Sequence, residues 1–93
     1  MIKSFRHKGL EAFYTSGSKA GIQAQHAQKL RLQLTALDAA VSADDFKAPV
    51  AWRLHSLSGK LKGYYSLTVN GNWRVIFRFD GSDVELVDYL DYH

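Results

Sequence analysis

The chain carries the phrase DYLDYH at residues 88–93, which sets a carboxylate, a phenol and an imidazole side by side at Asp91, Tyr92 and His93. In an extended strand, alternation puts Asp91 and His93 on one face and Tyr92 on the other. A carboxylate two residues from an imidazole can hold the ring in place and raise its basicity. The chain's own α-carboxylate next to His93 acts in the same direction. So disposed, His93 is a candidate general acid. The competing reading is a solvated tail, because terminal residues are usually the frayed part of a domain.

Arg74 brings a second kind of chemistry. It interrupts the apolar run WRVIFRF, where a guanidinium facing away from the core can clamp a phosphate through paired N–H donors and neutralise charge in a phosphoryl-transfer transition state. A salt bridge to Asp88 or Asp91 would occupy the same arginine equally well. The stretch WRLHSLSGKLKGYY places Arg53, His55, Lys60 and Lys62 around Gly59 and Gly63. Basic residues spaced through a glycine-containing loop suit a nucleic-acid backbone, and a solvated loop would look similar. His7 and His26 share no metal-ligand spacing with His55 or His93, so no metal site is expected.

The hydrophobic pattern outlines the elements that must hold these groups. Ile2 to Phe5 reads as a short N-terminal strand. Leu10, Phe13 and Tyr14 fall at i, i+3 and i+4 on one helical face, and TSGSKAG ends that helix in small residues. Ala27, Leu30, Leu34, Leu37 and Val41 step by three and four along a second helix, with Lys29, Arg31, Gln33 and Asp38 off the stripe. Joined by the Gly/Ser loop, the two form an antiparallel helical hairpin. Ser42 with Asp45 starts a further helical turn, which Pro49 breaks.

The period then changes. Tyr65, Leu67 and Val69 alternate with Tyr64, Ser66 and Thr68, and Trp73, Val75, Phe77 and Phe79 with Arg74, Ile76 and Arg78, which describes a β-hairpin. A two-residue Asn70-Gly71 loop would pair Thr68 with Trp73 and mix the faces. A three-residue loop, Asn70-Gly71-Asn72, pairs Val69 with Trp73 and Leu67 with Val75, with Asn72 taking the left-handed conformation. That register sets Thr68 opposite Arg74 and Tyr64 opposite Arg78 on the second face, and leaves Trp73 and Phe77 to the core. A last strand runs from about Val84 to the end. Two helices followed by antiparallel strands predict an α+β domain whose apolar sheet face packs on the helices, the opposite face being open for a ligand.

Ninety-three residues make one domain, 1–93, and 46% apolar with 23% charged residues is the balance of a folded globular chain. Without cysteine there is neither a disulfide framework nor a cysteine zinc site. The start shows no signal-peptide pattern and no stretch approaches the roughly 20 apolar residues of a membrane span, so a cytoplasmic location is expected. The net charge of +3 is unevenly spread: ten basic residues face four acidic ones through residue 62, and two face five thereafter. A basic body with an acidic last strand can hold a polyanion, although a basic surface kept for solubility gives the same totals.

Taken in order, MIKSFRHKGLEAFYTSG, RLHSLSG…GYYSLTVNGNWRVIF and DYLDYH resemble the HigB toxins, the plasmid-maintenance killer branch of the RelE superfamily. The resemblance covers essentially the whole chain, and NGNWR combined with a terminal DYH is its most specific part. It implies a compact RelE-like fold of the microbial-ribonuclease type, with two helices on one face of a mainly antiparallel sheet. The implied function is that of a type II toxin, a ribosome-dependent mRNA endonuclease that cuts the codon in the 30S A site and is held inactive by a HigA-type helix-turn-helix antitoxin. In that chemistry the substrate's own 2′-hydroxyl attacks the adjacent phosphate, so no metal or other cofactor is implied.

Carried over by position, His55, Arg74, Asp91, Tyr92 and His93 match the family's active-site residues. Arg74 would stabilise the charged phosphate, His55 and His93 would position substrate or exchange protons, and Asp91 and Tyr92 would orient the site or assist proton transfer. Arg53, Lys60, Lys62, Tyr64 and Arg78 are the expected RNA-binding residues around them. Ser58 stands where better-studied members carry a lysine, so either Lys60 or Lys62 supplies that charge from a shifted loop or cleavage is weaker. Two other readings keep the fold and change the function: a gyrase inhibitor like the related ParE branch, and a ribosome-binding blocker that does not cut.

Overall fold

The computed structural model describes residues 1–46 and 49–92; His93, one of the expected catalytic residues, lies outside the described residues. The helices are α1, Lys8–Ser16, and α2, Ala27–Ala39, and the strands are β1, His55–Ser56, β2, Tyr64–Asn70, β3, Trp73–Asp80, and β4, Asp83–Asp91. Among the described residues no helix is long and apolar enough to cross a membrane.

Side chains and a glycine set the ends of α1. His7 Nδ1 accepts the Leu10 backbone N–H at 2.9 Å, and Gly17, at φ +80°, turns the chain out while its N–H reaches the Phe13 carbonyl. Leu10 and Phe13 are buried as expected, whereas Tyr14 stays at the surface beside the Phe5 ring. Along α2 the stripe of Ala27, Leu30, Leu34 and Leu37 is buried, but two positions depart from the expected pattern. Val41 lies beyond the helix and is exposed, the buried Ala40 standing in its place, and Gln33 is fully buried. Counted from Leu30, a step of three reaches the same face as a step of four. The Asp45 carboxylate then accepts the Val41 and Ser42 N–H groups at 2.8 and 3.3 Å, closing the expected turn at Ala43–Phe46.

The four strands run antiparallel in the order β1-β2-β3-β4. On the outer side of β4, Ile2 and Phe5 form parallel bridges to Val84 and Val87, which is what the expected N-terminal strand amounts to. Where this segment docks, β4 carries a bulge: Leu86 adopts φ +56° and donates its N–H to Ser4 Oγ at 2.9 Å.

In the β2–β3 hairpin the body of the expected register holds, with Tyr64 opposite Arg78, Leu67 opposite Val75 and Thr68 opposite Arg74. The expected three-residue loop does not form. Asn70 pairs with Trp73, so the loop is Gly71-Asn72 and the extra residue sits in β2 as a bulge between Thr68 and Asn70. The bulge keeps the faces pure in place of a longer loop, since Val69 remains fully buried, and Gly71 at φ +56° takes the left-handed position assigned to Asn72.

The core lies between the helices and one sheet face, where Phe13, Leu30, Leu34 and Leu37 meet Leu67, Val75 and Phe77. Closing it requires two backbones to touch. A Cβ on Gly9 would stand 2.5 Å from the Gly21 carbonyl oxygen, and one on Gly21 would stand 2.5 Å from the Gly9 Cα. Neither atom is the end of a flexible side chain, so Gly9→Ala is expected to destabilise the fold by about 1–3 kcal/mol. A urea melt checks this; an unchanged midpoint would mean that α1 can move off the loop.

Candidate active site

Directly opposed residues share a sheet face, so the strand register lays out the face that the helices leave open. One row runs from His55 through Ser66 and Ile76 to Asp88, a second from Thr68 through Arg74 to Leu90, and a third from Tyr64 through Arg78 to Glu85; Ser66 and Ile76 are buried, so the face is not open along the whole of the first row. His55 is exposed on its short edge strand. It adjoins a groove of about 340 Å³ lined by Phe46, Pro49, Val50, Arg53, Leu54 and His55 itself.

The hairpin tip gathers the other groups. Arg74 Nη1 donates to the Gly71 carbonyl at 2.6 Å and to the Trp73 carbonyl at 3.1 Å. Both acceptors are carbonyls of its own turn, and among the described residues no ion pair joins Arg74 to Asp88. The remaining N–H donors of the guanidinium keep a fork with which to meet an anion. Next to Gly71, the Asn72 carbonyl accepts the Tyr92 N–H at 2.7 Å, tying the chain after β4 to the same turn. Asp91 pairs with Trp73 and so belongs to the helix side of the sheet, and alternation returns Tyr92 to the side of Arg74. Both Asp91 and Tyr92 are exposed.

The expected RNA-binding residues divide into two groups. Tyr64 and Arg78 share a row, but Arg78 is ion-paired with Glu85 while its guanidinium lies 5.7 Å from the Tyr64 ring centre. The Glu85 carboxylate raises the Arg78 pKa, first through the hydrogen bond and then through its charge. Arg53, Lys60 and Lys62 are exposed on the segments that flank β1, with Arg53 at φ +49° and Lys60 in the helical turn Gly59–Leu61. Ser58 precedes that turn.

Beneath Arg74 lies a buried aromatic stack that histidine spacing does not announce. Trp73 stacks on Tyr89 at 4.6 Å, and His26 packs edge-on against Trp73. His26 Nδ1 and the Tyr89 hydroxyl lie 2.6 Å apart, and the same hydroxyl oxygen accepts the Gln23 N–H at 3.4 Å. Burial, with Lys29 adding to it, lowers the His26 pKa, and burial raises that of Tyr89. Between a neutral His26 and Tyr89 the imidazole tautomer sets which group donates. Because an unfolded imidazole takes up a proton below about pH 6.5 while His26 resists it, the unfolded state binds more protons there and stability falls on acidification. The urea midpoint should drop between pH 7 and 5, and His26→Gln should flatten that slope; equal slopes would remove His26 as the cause.

Two helices backing a four-stranded antiparallel sheet make the fold of the RelE-like toxins. The fold matches a YafQ mutant from E. coli with a TM-score of 0.63 at 18% identity, covering 96% of this chain and 89% of that one. It matches the YoeB–YefM complex from Staphylococcus aureus with a TM-score of 0.62 at 18% identity, covering 100% and 95%.

Residues 3–93 match the family described as the RelE-like toxin of type II toxin-antitoxin system HigB, and the chain belongs to that family. It is 39% identical to the Endoribonuclease HigB of Proteus vulgaris over 93 residues, the whole of both chains. With Toxin HigB-1 of Vibrio cholerae serotype O1 it shares 38% identity, covering 100% of this chain and 98% of that one.

Proposed function

We propose that this chain is a ribosome-dependent mRNA endonuclease, cytoplasmic and restrained by a HigA-type helix-turn-helix antitoxin. The observation that carries the reading is the hairpin tip, where Arg74 and the Tyr92 backbone bind neighbouring carbonyls of one turn. The name of the P. vulgaris relative, an endoribonuclease, supports it.

In the proposed reaction the 2′-hydroxyl of the nucleotide in the A site attacks its own 3′ phosphate. The O2′–P bond forms, the P–O5′ bond breaks, one group takes the hydroxyl proton and another supplies a proton to the leaving oxygen. Arg74 faces the charge that builds on the phosphate, where a preorganised cation stabilises the transition state more than the ground state. His55 and His93 exchange the protons, and Asp91 and Tyr92 orient them, which requires the chain to turn where β4 ends, because Asp91 pairs with Trp73 on the helix side. Arg53, Lys60 and Lys62 hold the RNA backbone from the β1 side, with the two lysines supplying the charge that Ser58 lacks. Tyr64 and Arg78 extend the RNA-binding surface across the sheet, Arg78 while ion-paired with Glu85.

An mRNA carrying a single 2′-deoxynucleotide at the cut position tests this chemistry. Cleavage of the all-ribose message, with a 5′-hydroxyl on the downstream product and no cut in the deoxy message, is the expected result. Cleavage of the deoxy message would rule out attack by the 2′-hydroxyl.

A further inference from the structure

We propose that Gln33 is a positioning residue for Arg74, acting from the core through the tip of the β2–β3 hairpin. This rests on the reading of Arg74 as the cation that meets the scissile phosphate. Gln33 is fully buried on a helix face otherwise made of Leu30, Leu34 and Leu37. A buried amide is costly unless it is bonded. Its Nε2 donates to the Thr68 carbonyl at 2.8 Å, and among the described residues its Oε1 accepts nothing.

Thr68 is where the β2–β3 ladder slips: it pairs with Arg74, and the next pair is Asn70 with Trp73. The amide thus reaches from a helix 35 positions away in sequence to the carbonyl at the edge of the bulge. Two loops suit the local sequence. The three-residue loop, Asn70-Gly71-Asn72, keeps the hydrophobic faces as pure as the bulged two-residue loop does, so alternation alone does not choose between them. The Gln33 bond favours the bulged form.

The choice matters because the tip carbonyls are the anchors of the site. Gly71 holds the Arg74 guanidinium and Asn72 holds the Tyr92 N–H. Moving the bulged residue into the loop re-aims both carbonyls and releases both groups.

The test uses Gln33→Met and Gln33→Leu in the full chain, each bringing to position 33 an apolar side chain that suits the surrounding face. In cleavage on mRNA-programmed ribosomes, the rate at saturation should fall about tenfold or more, while the ribosome concentration at half-maximal rate stays within about twofold. In an Arg74→Ala background the same substitutions should change the residual rate by less than about twofold, because the effect passes through that arginine. The Tyr92 amide should exchange its hydrogen faster in both variants while the α2 amides do not. Equal losses with and without Arg74, an unchanged Tyr92 amide in a folded variant, or failure of both variants to fold would overturn the proposal. If the wild type cuts nothing, the endonuclease reading fails by itself, and the Tyr92 exchange still decides the role of Gln33 at the tip.

Discussion

Replacing Arg74 with alanine should lower cleavage at saturating programmed ribosomes by about 10² to 10³-fold while leaving the chain folded. The fold loses little, because Arg74 is half-buried and its guanidinium bonds, among the described residues, to the Gly71 and Trp73 carbonyls of its own turn. A net loss of about 1 kcal/mol is the scale for such bonds. The rate loses much, because a fixed donor aimed at developing negative charge acts most strongly in the transition state. Arg74→Lys should recover only part of the rate, since an ammonium keeps the charge without the planar fork. Single-turnover cleavage beside a urea melt checks both halves. A rate that falls only in proportion to the folded fraction would make Arg74 a structural residue.

The second large effect belongs to His93. Both His93→Ala and deletion of His93 should reduce cleavage about a hundredfold or more, the scale of a lost proton-transfer group. Stability should hold, because β4 is paired with β3 as far as Asp91 and the Tyr92 N–H is bound to Asn72 without it. Circular dichroism and primer extension on both variants check the prediction, and full activity in either one would contradict it.

Much of this arrangement was legible in the sequence wherever the determining pattern is local. Alternation from Tyr64 to Phe79 sets which residues face the helices, and it places Arg74, Tyr64 and Arg78 together on the other face. The β3–β4 register puts Asp91 opposite Trp73, on the helix side. What alternation does not contain is partners brought from far along the chain. The loop length depends on a bulge, and the Thr68 carbonyl at its edge is bound by Gln33, a polar residue that looks solvent-facing until its helix is packed. His26 and Tyr89 are 63 positions apart, so their bond leaves no spacing to read. The Arg78–Glu85 pair is local to the β3–β4 hairpin, but the left-handed Leu86 beside it goes with the docking of Ser4 from the start of the chain. The Gly9 and Gly21 contact is likewise long-range; two glycines read as flexible punctuation turn out to be a close backbone crossing.

The central question is whether the sheet face that carries Arg74 performs chemistry or only binds. Primer extension on a defined mRNA in a purified translation system, with and without ribosomes, comparing the wild type with Arg74→Ala, measures this most directly. Cuts confined to the codon in the A site, seen only when ribosomes are present and lost with Arg74, are the predicted result. An intact message while translation stops, or while supercoiling by gyrase stops, would contradict it and leave the fold with the role of a blocker.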